Sequence, residues 1–182
     1  MSLPQEPRDA RLFVGLLFRD FGVREEALRE FCGLVGPLDF LSEPVLFTQT
    51  NYYDREMGRG LYRQVATFTS LVCPESLPDI KLATNEIEGR FTRDGKRQVN
   101  IDPGLLNEER LVLATGKNFT HRVYLRNGIY ADLTLIYQRD AYRALPWTYP
   151  DYREPDLLHW LGALRRKLVL QRGQGLPDGG EA

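Results

Sequence analysis

The fold depends most on the segment Gln98–Tyr137, which reads QVNIDPGLLNEERLVLATGKNFTHRVYLRNGIYADLTLIY. Apolar and polar residues alternate over much of this segment, a pattern that is typical of strands with one covered face. Asn127-Gly128 lies between two such runs and is the strongest short signal in the chain for a β-hairpin with a type I′ turn. Polar and ionisable residues also interrupt the apolar strand positions, so we expect the candidate site in this segment.

A short helix is predicted ahead of the hairpin, over Asn107–Thr115. Asn107 is a favourable N-cap residue, and Gly116 suits the left-handed position at which many helices end. The strand Arg97–Ile101 precedes this helix. We therefore expect a strand, a short helix and a hairpin in that order.

The remaining elements follow from hydrophobic periodicity and turn residues. Gly15 within the first strand predicts that another element approaches it closely. The order β-α-β-β-α-β predicts an α+β domain with a ferredoxin-like core, extended by the short helix, the hairpin and a C-terminal helix. The predicted elements are a strand at Leu12–Phe18 covered on both faces, a helix at Arg24–Val35, a strand at Phe40–Phe47, a loop or single helical turn within Thr48–Gly60, a strand at Tyr62–Val72, a helix after Pro78 with Ile80, Ala83, Ile87 and Phe91 as its buried stripe, and a final helix at Pro155–Leu170 that buries Leu157, Trp160, Leu161, Leu164 and Leu168.

Length and composition indicate one domain over residues 11–170, with a disordered lead-in at 1–10 and a disordered tail at 171–182. The net charge of −1 argues against a nucleic-acid or membrane-surface partner, because such proteins usually carry a basic excess. Cys32 and Cys73 form neither a metal motif nor a disulfide framework. The N-terminus is polar and no apolar run is long enough for a membrane span, so we expect a cytoplasmic protein without a membrane partner.

The register of the hairpin predicts a catalytic pair. A two-residue turn pairs Arg126 with Ile129 and Val123 with Asp132. His121 and Asp132 then lie on one face as diagonal neighbours, roughly 7–8 Å apart at the backbone. A carboxylate beside an imidazole fixes its tautomer and raises its pKa, which prepares a general base. A solvent-facing pair without chemistry, or a structural hydrogen bond, stays open as the alternative.

Four further residues are predicted to bind a ligand: Asp102, Lys117, Arg122 and Tyr53. Asp102 lies at a strand end, where substrate groups collect, although Asp before Pro-Gly is also common in turns. Lys117 and Arg122 offer positive charge to an anion, and an ordinary surface lysine is the alternative for Lys117. Tyr53 belongs to a polar loop that either lines a pocket or is held in place by its aromatic residues.

Neither a phosphate-binding loop nor a metal site is established by these residues. Gly116-Lys117 fails the phosphate-loop pattern, because Asn118 follows the lysine and Leu111 stands where the loop needs glycine. His121, Asp102 and Asp132 are residue types that bind divalent cations, so a divalent metal is left open while the cofactor is otherwise unknown.

Six segments of the chain carry a family resemblance. They are Leu12–Leu17 (LFVGLL), Tyr52–Gly58 (YYDREMG), Lys81–Glu86 (KLATNE), Val99–Gly104 (VNIDPG), Lys117–Leu125 (KNFTHRVYL) and Pro146–Tyr152 (PWTYPDY). With them, the chain resembles an uncharacterised bacterial family, known as domain of unknown function 4416, over roughly residues 11–170. The resemblance implies a single-domain bacterial protein and brings no established activity, cofactor or catalytic residues.

Our first hypothesis from the sequence is a protein that binds or acts on a small anionic, nucleotide-like ligand. In it His121 is the acid/base group oriented by Asp132, Asp102 binds metal or substrate, and Lys117 and Arg122 hold the anion. Whether the protein is an enzyme is left open.

Two other classes of function remain as alternatives. One is a non-catalytic interaction module, in which the aromatic loop Pro146–Tyr152 and the terminal helix form a partner or homodimer surface. The other is RNA binding through Tyr62 and Phe68 on an open sheet face, against which the balanced charge counts.

Overall fold

In a computed structural model, residues 1–50 and 52–173 of the chain are described, and nine of their strands meet in one antiparallel sheet. Four α-helices and the sheet form a single α+β domain in this part of the chain. The helices are α1 (Phe21–Val35), α2 (Asp54–Met57), α3 (Leu77–Arg90) and α4 (Pro155–Gly173). The strands are β1 (Ala10–Phe18), β2 (Leu38–Leu41), β3 (Val45–Leu46), β4 (Tyr62–Val72), β5 (Thr92–Arg93), β6 (Lys96–Arg97), β7 (Val99–Leu106), β8 (Arg110–Thr115), β9 (Arg122–Arg126), β10 (Ile129–Gln138) and β11 (Ala141–Ala144).

The strand order in the large sheet is β11-β10-β8-β7-β1-β4-β2. β3 adds to β4 and β9 adds to β10, while β5 and β6 form a separate small hairpin. Between β11 and α4, residues Pro150–Arg153 form a short 3-10 turn. The disordered tail was predicted at residues 171–182. Helix α4 includes residues 171–173, and residues 174–182 lie outside the described residues.

Strand β1 lies at the centre of the sheet, and all nine of its residues are buried. Leu12, Val14 and Leu16 pack in the core that contains α1 residues. Phe13 packs in the core that contains α4 residues. The prediction of a strand covered on both faces is therefore confirmed, and the sheet lies between two helical layers.

Helix α1 begins three residues earlier than predicted because Asp20 caps it. The Asp20 side chain accepts hydrogen bonds from the backbone N–H groups of Gly22 and Val23. The helix ends at Gly36, whose φ of 95° is readily adopted only by glycine. The predicted strand Phe40–Phe47 is two strands, β2 and β3, since the intervening residues include Pro44, which cannot donate to a ladder.

The predicted helix over Asn107–Thr115 is wrong, because Arg110–Thr115 forms strand β8. β8 pairs with β7 on one edge and with β10 on the other, and it buries Leu111 and Leu113. Asn107, which suggested the N-cap, belongs to a tight turn in which its N–H bonds to the Arg110 carbonyl, and Gly116 follows the end of β8. Sheet pairing and burial outweigh the local capping pattern here.

Helix α3 turns a different face to the sheet from the predicted one. Ile87 is buried as expected, but the other predicted stripe residues are only partly covered, and Lys81, Thr84 and Glu88 are buried instead. Helix α4 buries Leu157, Leu161, Leu164 and Leu168 as predicted, and Trp160 is partly covered.

Two consequences of the fold bear on function. Phe68 is fully buried and Tyr62 stacks on Phe18 in the α1 core, so these two side chains do not lie on an open sheet face as the RNA-binding alternative expects. None of the helices described is both long and apolar enough to span a membrane.

Candidate functional site

The β9–β10 hairpin turns at Asn127-Gly128, as predicted. Asn127 has a φ of 54° and Gly128 a φ of 76°, the positive values that a type I′ turn requires. Ile129 pairs with Arg126 as expected, but Tyr130 then pairs with Tyr124 and not with Leu125. A bulge therefore shifts the remaining register by one residue, and the predicted pairing beyond the first pair is wrong.

The shifted register places Arg122, not Val123, opposite Asp132. Asp132 Oδ2 accepts a hydrogen bond from Arg122 Nε at 2.9 Å and lies 3.3 Å from His121 Nε2. Thr134 Oγ1 is 3.4 Å from the other carboxylate oxygen. The carboxylate is almost fully buried, so His121 and Asp132 do meet, with Arg122 as the third member of the group.

Arg122 donates only to groups of the protein. Besides Asp132, it bonds to the Lys117 carbonyl through Nη1 at 2.9 Å and to the Tyr149 hydroxyl through Nη2 at 2.8 Å. Burial by itself disfavours the charged guanidinium, but the hydrogen bond to Asp132 and the electrostatic interaction with the Tyr149 hydroxyl outweigh it and raise the pKa of Arg122. Arg122 thus ties the turn before β9 to the aromatic loop after β11.

The imidazole of His121 is held between aromatic rings. It stacks on Trp147 with 4.9 Å between ring centroids and an interplanar angle of 12°, and it meets the edge of Phe119. Trp147 is itself anchored, because Nε1 donates to the Leu133 carbonyl at 2.7 Å. His121 Nδ1 makes no hydrogen bond within the described residues, so one ring nitrogen is fixed by Asp132 and the other is available.

Lys117 lies beside this group on the surface. Its ammonium is 5.0 Å from the centroid of the Tyr52 ring and contacts the Tyr52 hydroxyl. Among the described residues, no carboxylate lies within ion-pair distance of it. The neighbouring rings of Tyr52 and Phe119 are each 61% exposed, and Tyr149 is 49% exposed, so the lysine stands among accessible aromatic faces.

Asp102 lies inside strand β7, opposite Gly15 of β1. The predicted strand end and the alternative of an Asp-Pro-Gly turn are therefore both wrong, since Pro103 and Gly104 continue the strand. Asn100 Nδ2 donates to one carboxylate oxygen at 2.7 Å, and Lys81 Nζ lies 3.4 Å from the other. The two partners hold the carboxylate from both sides.

A chain of charged groups continues from Lys81 towards the surface. Lys81 Nζ lies 3.9 Å from Glu88, which also accepts the Ile101 N–H at 2.7 Å. Glu88 pairs with Arg97 at 2.6 Å, and Arg97 bonds in turn to Glu56 of α2 at 2.6 Å. Burial of Glu88 outweighs these partners and raises the pKa of its carboxyl group.

Tyr53 lies within electrostatic range of Asp102 and of a second buried group on the α4 face of the sheet. Burial, and then the charge of Asp102, raise the pKa of Tyr53 well above its usual range. Arg63 and Asp151 are also close enough to influence it. Arg63 Nη2 lies 3.0 Å from Asp151 Oδ2, and its guanidinium carbon lies 4.7 Å from the centroid of the Tyr152 ring.

Gly15 provides the space for this group. A Cβ atom at this position would lie 2.7 Å from the Tyr152 hydroxyl and 2.8 Å from Arg63 Nη2. The predicted close approach at Gly15 is therefore confirmed. The Tyr152 hydroxyl and Arg63 Nε are buried and have no hydrogen-bond partner among the described residues.

The predicted site residues fall into two adjacent groups. His121, Asp132 and Arg122 meet, and Lys117 joins them through its carbonyl, while Asp102 and Tyr53 belong to the second group. Tyr149 borders both, because it accepts a hydrogen bond from Arg122 and also contributes to the raised pKa of Tyr53.

The three residues for which a divalent metal was left open, His121, Asp102 and Asp132, do not meet at one point. Across residues 1–50 and 52–173, no three His, Cys, Asp or Glu side chains are arranged to hold a metal ion. Asp102, Asp132 and His121 therefore do not form a metal centre, because Asp102 is engaged by Lys81 while Asp132 faces Arg122.

Sequence reasoning missed Arg63, Asp151, Lys81 and Glu88. Arg63 occupies an ordinary position in the alternating pattern of its strand, and Asp151 lies in a loop that was noted only for its aromatic residues. Lys81 and Glu88 are spaced like a solvated helix face, so nothing in the pattern separates them from surface charges.

The fold and these groups define an α+β protein with two groups of charged and aromatic side chains on its antiparallel sheet. The family model for the domain of unknown function DUF4416 matches residues 8–168, and the chain belongs to this family. Searches of curated proteins and of solved structures found no match.

Proposed function

We propose that the protein binds, and acts on, a small anionic ligand with a flat ring, such as a nucleotide, at the surface around Lys117. The observation that carries this proposal is the Lys117 ammonium, which lies over the Tyr52 ring without a carboxylate partner among the described residues. A cation of this kind is free to bind an anionic group of a ligand. In this proposal Arg122 supports the turn, because three of its five N–H groups are bonded to the protein.

The surrounding rings support a planar ligand. Tyr52 and Phe119 are each 61% exposed and Tyr149 is 49% exposed, and all three lie in one surface region. Stacking of a base on an aromatic side chain is worth roughly 1–3 kcal/mol. A ring stacked on Phe119 or Tyr52 with its anionic group on Lys117 would use both features together.

His121 is the acid/base group in this proposal. When Nε2–H donates to Asp132, neutral His121 presents Nδ1 as a proton acceptor. Because Arg122 shares the same carboxylate oxygen, Asp132 acts mainly by fixing the tautomer and the ring orientation. The stacking on Trp147 restricts the imidazole further.

Calorimetric titration with nucleoside mono-, di- and triphosphates, with nucleosides and with inorganic phosphate tests the binding step. Lys117→Ala and Phe119→Ala should each weaken nucleotide binding about tenfold, because each removes roughly 1.4 kcal/mol of contact. Lys96→Ala is the matched control, since Lys96 is exposed and has no carboxylate partner in the described part of the chain.

A second assay follows turnover of any nucleotide that binds. His121→Gln should abolish turnover while it leaves the dissociation constant within about threefold of the wild-type value. Absence of binding for every compound would refute the proposal, as would binding that is equally strong in the Lys117 and Phe119 variants.

A non-catalytic interaction module is the second candidate. Two exposed apolar side chains favour it: Trp147 in the aromatic loop is 39% exposed, and Leu170 on α4 is 60% exposed. Light scattering after size exclusion tests it: a homodimer that dissociates in Leu170→Lys and in Trp147→Ala supports the module. A protein that is monomeric at all concentrations would exclude a homodimer.

Two finer assignments are part of the proposal. We propose a ferredoxin-like unit made of β1, α1, β2, β4, α3 and β7, supported by the antiparallel strand order β7-β1-β4-β2. An experimental structure with a different order would remove it. We also propose a cytoplasmic bacterial protein, which cell fractionation with a specific antibody tests.

A further inference from the structure

A cleft of ≈ 100 Å³ lies between the β3 region, strand β4 and the start of α4, apart from the Lys117 surface. Its walls are partly apolar, formed by Val45, Leu46, Leu157 and Trp160. A cleft of this size accommodates a small polar head with a short carbon stem. The question is which polar head its other residues select.

Three carboxylates of the lining have no cationic partner. Glu43, Glu154 and Asp156 line the cleft, and none of them lies within ion-pair distance of a basic group in residues 1–50 or 52–173. Asp151 also lines it but is paired with Arg63, 3.0 Å away. The cleft therefore carries about three uncompensated negative charges, although the whole chain has a net charge of only −1.

A buried acceptor supplies an independent reason to expect a donor ligand. Gln64 lines the same cleft and is 4% exposed. Its Nε2 donates to the Ser42 carbonyl at 2.6 Å, but its Oε1 has no hydrogen-bond partner among the described residues. An unsatisfied buried acceptor costs roughly 1–3 kcal/mol, which a ligand N–H group would recover.

Arg63 adds a complementary requirement. Its Nε is buried, lacks a partner in the described chain, and belongs to a side chain that lines the cleft. It needs an acceptor oxygen. The nearby Asp151 carboxylate would repel a second anion, so a neutral carbonyl or hydroxyl oxygen fits best.

We propose that this cleft binds a small organic cation: a guanidinium or primary ammonium group on an apolar stem that also carries a neutral acceptor oxygen. The cationic head meets Gln64 Oε1 and the carboxylates, with Trp160 as an aromatic wall. The stem packs on Leu157, and the oxygen accepts from Arg63. This second site is independent of the nucleotide proposed for Lys117.

Calorimetry at low ionic strength with Nα-acetylarginine amide tests the inference. This probe contains the guanidinium, the alkyl stem and neutral carbonyl oxygens. Its matched control is Nα-acetylcitrulline amide, which has nearly the same shape without the charge. We expect saturable binding of the arginine compound and at least about tenfold weaker binding of the citrulline compound.

A triple variant tests the location: Glu43→Gln, Glu154→Gln and Asp156→Asn. All three side chains are exposed, so the fold should tolerate the changes. Loss of three charge interactions should weaken binding of the arginine compound about tenfold. The control variant combines Glu26→Gln, Glu75→Gln and Glu86→Gln, which changes the net charge equally at exposed positions outside the cleft.

Three outcomes would overturn the inference. One is the absence of saturable binding of the arginine compound at low ionic strength. Another is equal affinity for the arginine and citrulline compounds. The third is an equal loss of affinity in the two triple variants, because it would indicate a general effect of net charge. Nucleotide binding at Lys117 should be unchanged in the cleft variant, so the two proposals fail independently.

Discussion

Replacement of Gly15 by alanine tests the central packing argument. The added Cβ would lie 2.7 Å from the Tyr152 hydroxyl and 2.8 Å from Arg63 Nη2, closer than nonbonded heavy atoms normally approach. Tyr152 is 2% exposed and Arg63 is paired with Asp151, so neither group can move away freely. Overpacking of this kind typically costs about 1–3 kcal/mol. Alanine regains roughly 0.5–1 kcal/mol of backbone entropy, which leaves a net loss of about 1 kcal/mol at the middle of both ranges.

Thermal unfolding followed by circular dichroism measures this loss. For a chain of this size 1 kcal/mol corresponds to about 2–4 °C, so Gly15→Ala should lower Tm by about 2–4 °C. Gly33→Ala in α1 is the matched control, since its added Cβ has no heavy atom within 4 Å apart from its chain neighbours and the nearby backbone of the helix. It should raise Tm slightly, because alanine favours a helix by about 1 kcal/mol.

A double variant identifies the cause. Gly15→Ala in a Tyr152→Phe background removes the nearest clashing atom, so the cost of the alanine should fall by at least about 0.5 kcal/mol. A Gly15→Ala protein as stable as the wild type would refute the reasoning. A cost that stays the same in the Tyr152→Phe background would assign the clash to another neighbour.

Three further predictions concern single side chains. Tyr152→Phe alone should leave stability unchanged or raise it by up to about 1 kcal/mol in chemical denaturation, because it removes a buried hydroxyl without a partner in the described residues. Because the pKa of Glu88 is raised in the folded protein, the folded state keeps a proton that the unfolded state loses above pH 4.5. The stability of the wild type should therefore fall relative to that of Glu88→Gln as the pH rises from 4.5 through the raised pKa. A difference that is constant between pH 4 and 7 would contradict this. Gly128→Ala, at a φ of 76°, should cost about 1 kcal/mol or more in chemical denaturation, whereas Gly116→Ala, whose φ is not positive, should not.

The His121–Asp132 contact was predictable, but the reasoning that led to it was only partly right. Asn127-Gly128 fixed the turn, and the first pair of the ladder follows from it. The bulge that shifts the next pairs has no signature in the sequence. His121 still reaches Asp132 because it lies in the turn before β9, where the backbone is free of the ladder.

Strand β8 shows why local signals fail inside a large sheet. Asn107 and Gly116 bracket the segment as helix caps would, and nothing local contradicts a helix. The deciding energy comes from Leu111 and Leu113, which are buried between neighbours that are distant in sequence. The apolar run of β1 was easier to interpret, since burial on both faces leaves its mark on every residue.

The buried polar face of α3 also depends on partners that are distant in sequence, and it affects the candidate site. Lys81, Thr84 and Glu88 would form an ordinary solvated face in an isolated amphipathic helix. Lys81 and Glu88 are buried because β7 supplies partners for them: the Ile101 carbonyl accepts from Lys81, and the Ile101 N–H donates to Glu88. Thr84 Oγ1 donates to the Lys81 carbonyl within the helix. Residues 99–103 of β7 lack a ladder partner in β8, so this backbone is open to side chains from the helix. Lys81 thereby reaches Asp102 and holds its carboxylate beside Tyr53, which makes α3 a support of the candidate site as well as of the core.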